Sequence, residues 1–250
     1  MSRLANQIAI VTGAGSGFGA AIARAYIREQ AKVVLADIHA DAVRKLADEL
    51  GSNASAIACD VSQGDQIRAV VKHCIDGFGI PDIVVNNAGT THRNQSMLDV
   101  EEHIFDRVFA VNVKSIYHMA HAVVPLMKSR KNGVILNVGS VGSIRPRPGL
   151  TWYNSSKGAV SVMSKSMAVE LAADGIRVNI IAPVMAATGL LQDFMGVPDT
   201  PENRARFLAT IPLGRMCDPT DVGAVAVFLA SPEARFLTGI EIPVDGGRSV

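Results

Sequence analysis

The sequence predicts an α/β fold, a doubly wound parallel sheet of about seven strands with helices on both faces. Short apolar, β-branched runs alternate along the chain with longer helical patterns. Several of these runs are apolar throughout, as are strands that are covered on both faces of a parallel sheet. No linker rich in Pro, Ser or charge divides the 250 residues. Right-handed crossovers then place helices on both faces of one domain, residues 1–250.

Seven strands and six helices follow in order from this alternation. The short apolar runs predict strands at 8–12, 32–37, 54–59, 83–86, 133–138, 177–181 and 240–244. The intervening periodic stretches predict helices at 18–29, 41–50, 63–77, 99–129, 152–173 and 219–230. After the sixth strand, residues 185–212 form a long segment punctuated by Gly and Pro. Insertions near strand ends often cover a site, so we expect this segment to be a substrate lid.

Composition excludes several classes of function. The formal net charge is +1, from 24 basic and 23 acidic residues, which gives no electrostatic footprint for nucleic acid or an anionic membrane. Hydrophobic residues make up 48% of the chain and no block of like charge is present, which argues against disorder. No stretch offers the roughly 20 apolar residues of a membrane span, and the N-terminus lacks a signal peptide. We therefore expect a cytoplasmic protein.

The three cysteines give no sign of a metal site or a disulfide framework. Cys59, Cys74 and Cys217 are odd in number and widely spaced, with no C-x-x-C pair. We expect them to be small buried side chains in a reducing compartment.

The first strand leads into a glycine-rich turn typical of a dinucleotide phosphate site. Residues 12–19 read T-G-A-G-S-G-F-G, the pattern T-G-x-x-x-G-x-G. Glycines let the backbone approach a pyrophosphate, whose charge then faces a helix N-terminus. Such turns also simply connect strands to helices, but the position between a buried strand and a helix favours the cofactor. The predicted cofactor-binding residues here are Gly13, Ser16, Gly17, Phe18 and Gly19.

The end of the second strand indicates which cofactor is used. Asp37 stands 24 positions after Gly13, close to the spacing of about 20 typical of a ribose-binding carboxylate. A carboxylate there accepts hydrogen bonds from the ribose hydroxyls and repels the 2′-phosphate of NADP. Ser16 is not an arginine, and Ile38 and His39 add no phosphate clamp. The sequence therefore predicts NAD in preference to NADP, with a plain strand-end cap as the alternative role of Asp37.

Two further strand ends carry polar residues. Asp60 and Val61 follow the third strand, and N-N-A-G at 86–89 follows the fourth. Open α/β sheets bind ligands at the carboxyl ends of their strands. Asp60 can accept a hydrogen bond from the adenine amino group, and the Asn pair can fix the turn and line the adenosine pocket. Asp60 and the Asn pair are also explained as turn residues, whose side chains hydrogen-bond the local backbone. The predicted cofactor residues are Asp60, Val61, Asn87, Ala88 and Gly89.

A tyrosine and a lysine share one helix face. The spacing of four between Tyr153 and Lys157 puts both on the same side of the predicted helix. A neighbouring ammonium favours phenolate and lowers the pKa of a phenol, which suits it to general acid–base work. Ser140 ends the fifth strand, where its hydroxyl can hydrogen-bond a substrate carbonyl or alcohol. These three residues predict carbonyl or alcohol chemistry.

Taken together, these motifs resemble the short-chain dehydrogenase/reductase family in its single-domain form of about 250 residues. The resemblance covers essentially the whole chain. Its pieces, in order, are T-G-x-x-x-G-x-G at 12–19, Asp60, N-N-A-G at 86–89, Asn112, Ser140, Y-x-x-x-K at 153–157 and V-D-G-G at 244–247. It implies a Rossmann-type doubly wound parallel sheet and a nicotinamide cofactor.

The resemblance also implies a catalytic tetrad. In it, Tyr153 exchanges a proton with the substrate oxygen, which Ser140 orients and polarises. Lys157 holds the nicotinamide-ribose hydroxyls and lowers the pKa of Tyr153, while Asn112 holds a water that links Lys157 to solvent. From the residues alone Asn112 is the weakest member, because an isolated mid-helix Asn usually bonds locally or faces solvent.

The sequence departs from the family pattern after the sixth strand. The family commonly has Pro-Gly and then Thr, whereas this chain has Pro183, Val184 and Thr188. The resemblance implies that Pro183 and Thr188 contact the carboxamide end of nicotinamide. Val184 has less backbone freedom than glycine, so the family pattern does not give the path of the lid.

Other signals have plainer explanations. His118 and His121 are three apart on one predicted helix, but no third ligand is evident and we predict no metal. Arg93, Arg145 and Arg147 follow the fourth and fifth strands and can attract an anionic substrate. Solvated loop arginines are the commoner case. Apolar lid residues, which ordinary packing also explains, are Met185, Leu190, Leu191, Phe194 and Met195.

The function predicted from the sequence is an NAD-dependent oxidoreductase that interconverts a secondary alcohol and a ketone by hydride transfer. Its partner is a small-molecule alcohol or ketone, and the resemblance implies a homotetramer formed through the helices near 99–129 and 152–173 and the C-terminal segment. Three alternatives stay open: a 3-oxoacyl-[acyl-carrier-protein] reductase, a sugar or polyol dehydrogenase, and a non-catalytic dinucleotide-binding regulator.

Overall fold

Seven parallel strands form one sheet in the computed structural model, which describes residues 2–186 and 191–250. The strands follow the chain as β1 Ile8–Thr12, β2 Lys32–Asp37, β3 Ala54–Ala58, β4 Ile83–Asn86, β5 Gly133–Val138, β6 Ile176–Pro183 and β7 Glu241–Val244. Their order in the sheet is β3-β2-β1-β4-β5-β6-β7, with every pairing parallel. Strands β2 and β3 therefore extend the sheet on one side of β1, and β4 to β7 extend it on the other side. The reversal leaves a crevice beyond the carboxyl ends of β1 and β4.

Helices cover both faces of the sheet. They are α1 Gly17–Arg28, α2 Ala40–Leu50, α3 Gly64–Gly77, α4 Glu102–Phe109, α5 Ser115–Arg130, α6 Thr151–Leu171, α7 Leu191–Met195, α8 Pro201–Leu208 and α9 Pro219–Ala230. One core, on the face covered by α1 and α9, contains Ile22, Tyr26 and Val222. A second core, on the face covered by α3, α5 and α6, contains Ile67 and Val123. Strands β4 and β5 are buried at every residue, as the continuous apolar runs predict.

The predicted fold class is confirmed, and most element boundaries agree within two residues. The chief difference concerns the single helix predicted over 99–129. It is divided into α4 and α5 by a π-helical turn at Ala110–Lys114. This turn carries Asn112, which is buried and hydrogen-bonded to residues outside the helix. π-Helical turns of this kind are frequent at functional sites.

The predicted lid segment contains regular structure. Thr200 caps α8 through its side chain, with Pro201 in the first turn, while α7 is a short helix. Strand β6 extends two residues beyond its predicted end, and the Val184 N–H then bonds the Val244 carbonyl oxygen at 3.1 Å. Val184 therefore continues the edge pairing of β6 with β7.

The cysteines agree with their predicted environment. Cys59, Cys74 and Cys217 are all free and buried, and burial raises the pKa of each thiol. Within the described ranges, none of the helices is both long enough and apolar enough to span a lipid bilayer.

Candidate active site

A cleft of about 520 Å³ lies beyond the carboxyl ends of the strands. It brings together most of the predicted site residues, although they come from the carboxyl ends of six strands and from α6. Those that line it are Gly13, Ser16, Gly17, Phe18, Asp37, Asp60, Val61, Asn87, Ala88, Gly89, Ser140, Tyr153, Lys157 and Pro183. Gly19 and Asn112 lie behind this lining, and Thr188 is outside the described residues.

The glycine-rich turn is built so tightly that side chains are excluded. Gly13 and Gly17 have φ of +63° and +53°, in the left-handed region that favours glycine. A Cβ on Gly19 would lie only 2.1 Å from the Gly13 carbonyl oxygen. Asn87 fixes the turn, because its side-chain amide donates to the carbonyl oxygens of Thr12 at 2.8 Å and Gly13 at 3.0 Å.

The N-terminus of α1 is suited to an anion. Ser16 occupies the cap position, but its side chain makes no cap hydrogen bond to the helix. The first N–H groups of an α-helix have no partner within the helix, so they remain available to a phosphate. Ser16, Gly17 and Phe18 line the cleft at this point. The turn and the helix end together fit the pyrophosphate of a dinucleotide.

Asp37 is buried at the end of β2 and supports the glycine-rich turn. Its Oδ2 accepts the Gly15 N–H and its Oδ1 accepts the His39 N–H, both at 2.9 Å. A carboxylate has about four lone-pair sites, so two backbone bonds leave capacity for hydroxyl donors. The strand-end cap and the ribose-binding role are therefore compatible.

Asp60 likewise combines turn chemistry with a place in the cleft. Its Oδ1 accepts the Ser62 N–H at 2.9 Å and the Ser62 hydroxyl at 2.8 Å. Asp60 and Val61 line the cleft beside Asp37. Asn86, the other member of the Asn pair, donates to Asn137 Oδ1 in the sheet interior instead.

Ser140, Tyr153 and Lys157 converge on the opposite half of the cleft. Ser140 precedes a short 3-10 helix, Val141–Ser143, and its Oγ accepts the Gly142 N–H at 3.0 Å. The Lys157 ammonium donates to the Val138 carbonyl oxygen at 2.8 Å and lies 5.9 Å from the centroid of the Tyr153 ring. All three residues are at least nine-tenths buried.

Burial dominates the electrostatics of this half. It raises the pKa of Tyr153 to about 12, an effect that a side-chain interaction with Ser140 partly opposes. It lowers the pKa of Lys157 to about 8. The direction for Tyr153 is opposite to the sequence-based expectation, because removal from water disfavours the phenolate more than the Ser140 side chain stabilises it.

Asn112 is buried behind the residues that line the cleft. Its Oδ1 accepts the Thr90 N–H at 2.8 Å, and its Nδ2 donates to the Thr90 carbonyl oxygen and to Ser156 Oγ, both at 2.9 Å. Ser156 Oγ in turn donates to the Tyr153 carbonyl oxygen at 2.7 Å. Asn112 therefore joins the chain after β4 to the first turn of α6.

The arginines separate into two groups. Arg145 and Arg147 line the cleft, whereas Arg93 is exposed and outside its lining. Arg107 and Arg248 also line the cleft, although neither was predicted from the sequence. Arg248 directly follows the V-D-G-G motif, the one local signal that could have indicated it. His118 and His121 lie on α5, also away from the cleft lining.

The segment between β6 and α9 supplies apolar side chains to the same cleft. Met185, Phe194 and Phe207 line it. The ring of Phe194 meets that of Tyr153 edge to face at a centroid distance of 4.9 Å. Asn94, also missed, holds α7 near the site, because its N–H donates to the Asp193 carbonyl oxygen at 2.9 Å and its side chain donates to Pro148 at 3.1 Å.

Comparison with known proteins shows what this chain is similar to. The model of a family described as "Enoyl-(Acyl carrier protein) reductase" matches residues 13–249. A crystal structure of a 3-ketoacyl-(acyl-carrier-protein) reductase from Brucella melitensis, complexed with NADH, superposes with a TM-score of 0.94 at 41% identity. The match covers 99% of this chain and 100% of the other. The chain belongs to the short-chain dehydrogenase/reductase family.

Members of this family named in the comparison include both dehydrogenases and reductases. The 4-formylbenzenesulfonate dehydrogenase TsaC1/TsaC2 of Comamonas testosteroni is 49% identical over 99% of each chain. The 3-oxoacyl-[acyl-carrier-protein] reductase FabG of Thermotoga maritima is 38% identical over 98% of each chain. This short-chain dehydrogenase/reductase is therefore an oxidoreductase of the class that uses a nicotinamide dinucleotide.

Proposed function

We propose that this enzyme interconverts an alcohol and a carbonyl compound with NAD, using Tyr153 as general acid and base. The observation that carries the proposal is the meeting of Ser140, Tyr153 and Lys157 in the cleft that also contains the glycine-rich turn and Asp37. When bound, nicotinamide accepts or supplies the hydride. The chain's own residues handle the proton and the orientation of the reacting oxygen.

Ser140 and Tyr153 both hydrogen-bond the reacting oxygen. In reduction the Tyr153 hydroxyl donates its proton to the carbonyl oxygen, and in oxidation its oxygen takes the proton of the alcohol. Ser140 Oγ accepts the Gly142 N–H, so its own O–H can donate, either to the Tyr153 oxygen or to the substrate oxygen when substrate is bound. A phenol with its pKa raised to about 12 holds its proton at neutral pH, which suits the donor role.

Lys157 binds the cofactor ribose and contributes an amine that can exchange protons. One N–H is used by the Val138 carbonyl oxygen, which leaves two for the nicotinamide-ribose hydroxyls. Gly89 lies beside the amine, since a Cβ there would be in van der Waals contact with Lys157 Nζ at 3.4 Å. Because burial lowers the pKa of Lys157 to about 8, this amine exchanges protons near neutral pH. Asn112 holds Thr90 and Ser156 on either side as a positioning residue.

Asp37 supports NAD in preference to NADP. Its carboxylate is held in place by Gly15 and His39 and lines the adenosine side of the cleft. A 2′-phosphate would bring like charge against a buried carboxylate, which is unfavourable. The position of Pro183 in the lining supports its contact with the carboxamide end.

Residues 185–212 belong to the same single domain and act as a lid over the substrate. Met185, Phe194 and Phe207 from this segment form part of the cleft wall, which supports that role. We assign substrate selection to this wall, since it differs from the polar half that receives the cofactor.

A second candidate reaction is favoured by the 49% identical relative whose name gives an aldehyde as substrate. An aldehyde hydrate carries a C–H and an O–H on one carbon, as an alcohol does. Its dehydrogenation gives a carboxylic acid, with one hydride to NAD and the hydroxyl proton to Tyr153, and the acid then ionises by releasing a second proton to solvent. The named 3-oxoacyl reductases keep that activity as a third candidate, and a sugar or polyol substrate remains a fourth.

We also propose that the enzyme is a homotetramer and that it is located in the cytoplasm. Tyr117 on α5 and Val162 and Val169 on α6 are apolar yet more than half exposed, on helices expected to form subunit contacts. Light scattering should therefore give about four times the 26.4 kDa mass of one chain. Free, buried cysteines support a reducing compartment.

The test is a spectrophotometric assay of nicotinamide oxidation state over alcohols, aldehydes and ketones, with NAD and NADP. We expect turnover with NAD, and analysis of products separates alcohol oxidation from aldehyde oxidation. Tight NAD binding with no turnover of any substrate would identify a non-catalytic regulator and overturn the proposal.

A further inference from the structure

Two arginines share one aromatic ring in the wall of the cleft. The guanidinium carbons of Arg147 and Arg248 lie 5.4 and 5.0 Å from the centroid of the Phe207 ring. Phe207 is 8% exposed and Arg248 is 9% exposed, while Arg147 is half-buried. All three residues line the cleft that contains Tyr153. Guanidinium groups stack well on aromatic faces, so the ring holds both charges in place.

Neither charge has a carboxylate partner among residues 2–186 and 191–250. Arg248 donates to the side chain of Thr210, which is neutral. The nearby Asp245 accepts the N–H groups of Gly247 and Ser249 and forms no ion pair with Arg248, although its charge acts on that guanidinium from a distance. Buried charges are usually paired, because an unpaired one loses its hydration without compensation.

The two cations also disfavour one another. Burial lowers the pKa of Arg147, and the nearby Arg248 lowers it further. Burial likewise lowers the pKa of Arg248, with Arg145 adding to the effect and Asp245 only partly opposing it. The Arg145 side chain donates to the Arg248 carbonyl oxygen at 2.5 Å, which holds the C-terminal segment against this wall. An anion bound beside the two guanidinium groups would relieve both the repulsion and the lost hydration.

The position of the pair distinguishes a substrate anion from a cofactor anion. Arg147 lies between the end of β5 and α6, and Arg248 follows β7. The glycine-rich turn and Asp37 follow β1 and β2, on the other side of β4 in the sheet. The glycine-rich turn therefore provides the site for the cofactor phosphates, and the arginines lie in the half of the cleft that contains Tyr153.

We propose that Arg147 and Arg248 form an anion subsite that binds a carboxylate or sulfonate carried by the substrate away from its reacting carbon. The proposal rests on the proposed function, since it assigns the substrate class of the same cleft. The wall also contains the apolar side chains of Val141, Leu150, Met185 and Phe194. The substrate class is thus an apolar aryl or alkyl alcohol or carbonyl compound with one anionic end.

A binding measurement tests the subsite without requiring turnover. Benzoate and benzenesulfonate are titrated calorimetrically into the enzyme saturated with NADH, with uncharged benzyl alcohol for comparison. We expect both anions to bind more tightly than benzyl alcohol, with an affinity that falls as salt rises. Arg147→Met should weaken anion binding by about 10- to 100-fold, as loss of a charge-assisted hydrogen bond does. Arg147→Lys should restore part of it.

Arg93→Met is the matched control, because it removes an exposed arginine outside the cleft lining. It should leave both anion affinities unchanged. Arg147 carries the test in preference to Arg248, whose side chain also anchors Thr210. A thermal melt confirms that each variant is folded.

The outcomes separate the two proposals. Equal affinity for the anions and benzyl alcohol, or unchanged anion affinity in Arg147→Met, overturns the subsite even if neutral alcohols are oxidised. Arginine-dependent anion binding without turnover of any anionic or neutral alcohol or aldehyde supports the subsite and overturns the proposed function. Turnover with a kcat/KM at least tenfold higher for an aryl alcohol or aldehyde that carries a carboxylate or sulfonate than for its uncharged parent compound supports both.

Discussion

Asn112 donates a hydrogen bond to Ser156 Oγ over 2.9 Å and so joins the π-helical turn to the helix that carries Tyr153. The same amide group makes two bonds to the backbone of Thr90. Asn112 is 2% exposed, and its amide is used entirely within the protein. Its contribution to the site is therefore the relative placement of the β4 connection and α6.

Replacing Asn112 by Leu should destabilise the protein and reduce turnover. The change leaves the Thr90 backbone groups and the Ser156 hydroxyl without their buried partner, which corresponds to a loss of about 2–4 kcal/mol in the free energy of unfolding. Urea denaturation measures this value, and kcat should fall with it. Asn132→Leu, at an exposed position after α5, is the control and should change stability by no more than about 0.5 kcal/mol. Equal effects of the two substitutions would refute the bridging role.

Replacing Tyr153 by Phe should abolish turnover while sparing NAD binding. The ring keeps its contact with Phe194, so the variant loses the hydroxyl but not the packing. General acid–base catalysis is worth about 10²- to 10⁴-fold in rate, and kcat should fall by that factor. Fluorescence titration with NADH measures binding separately. Tyr117→Phe, exposed on α5, should behave as wild type. Retained activity in Tyr153→Phe would exclude the assigned proton transfer.

Replacing Asp37 by Ala should erode the preference for NAD over NADP. The substitution removes the negative charge that opposes a 2′-phosphate, and each 1.4 kcal/mol of lost discrimination is a factor of about ten. We expect the ratio of kcat/KM with NAD to that with NADP to fall at least about tenfold. Asp41→Ala removes an exposed carboxylate from the start of α2 and should leave the ratio unchanged. If the ratio is also unchanged in Asp37→Ala, another group selects the cofactor.

Several parts of the site that the sequence predicts depend on short spacings within one element. Tyr153 and Lys157 share a helix face, and the positive φ of Gly13 and Gly17 is a local requirement of the turn. The parts that it misses depend on contacts between distant segments. Arg248 meets Phe207 across 41 residues, and Asn112 meets Ser156 across 44. No local pattern marks such a pair, so the division at 110–114 and the two-arginine wall became evident only in the fold.

The pKa of Tyr153 shows a related limit. Sequence spacing gives the neighbour, Lys157, but not the burial of either group. Burial depends on how β5, α6 and the segment around Phe194 pack together. Since burial sets the direction of the shift, that direction could not be predicted from the sequence.

Lys157 should give the folded protein a stability that rises with pH in the alkaline range. Burial lowers its pKa from 10.5 to about 8, so between those values the unfolded chain binds a proton that the folded chain does not. Unfolding therefore becomes less favourable as pH increases through this window. The shift corresponds to about 3 kcal/mol in the free energy of unfolding. Below pH 8 the buried amine destabilises the folded protein by this full amount, and above pH 10.5 the destabilisation is absent.

Urea denaturation of wild type and Lys157→Met between pH 7.5 and 10.5 measures this effect as a difference. Relative to the Met variant, the wild type should gain stability across the window by up to about 3 kcal/mol. Burial raises the pKa of Tyr153 to about 12, so this residue stabilises the folded state below pH 10 and loses that contribution above it. Because Tyr153 is present in both proteins, its contribution cancels in the difference. A difference that stays constant from pH 7.5 to 10.5 would mean that Lys157 keeps its ordinary pKa in the fold, and the buried amine could not then exchange protons near neutral pH.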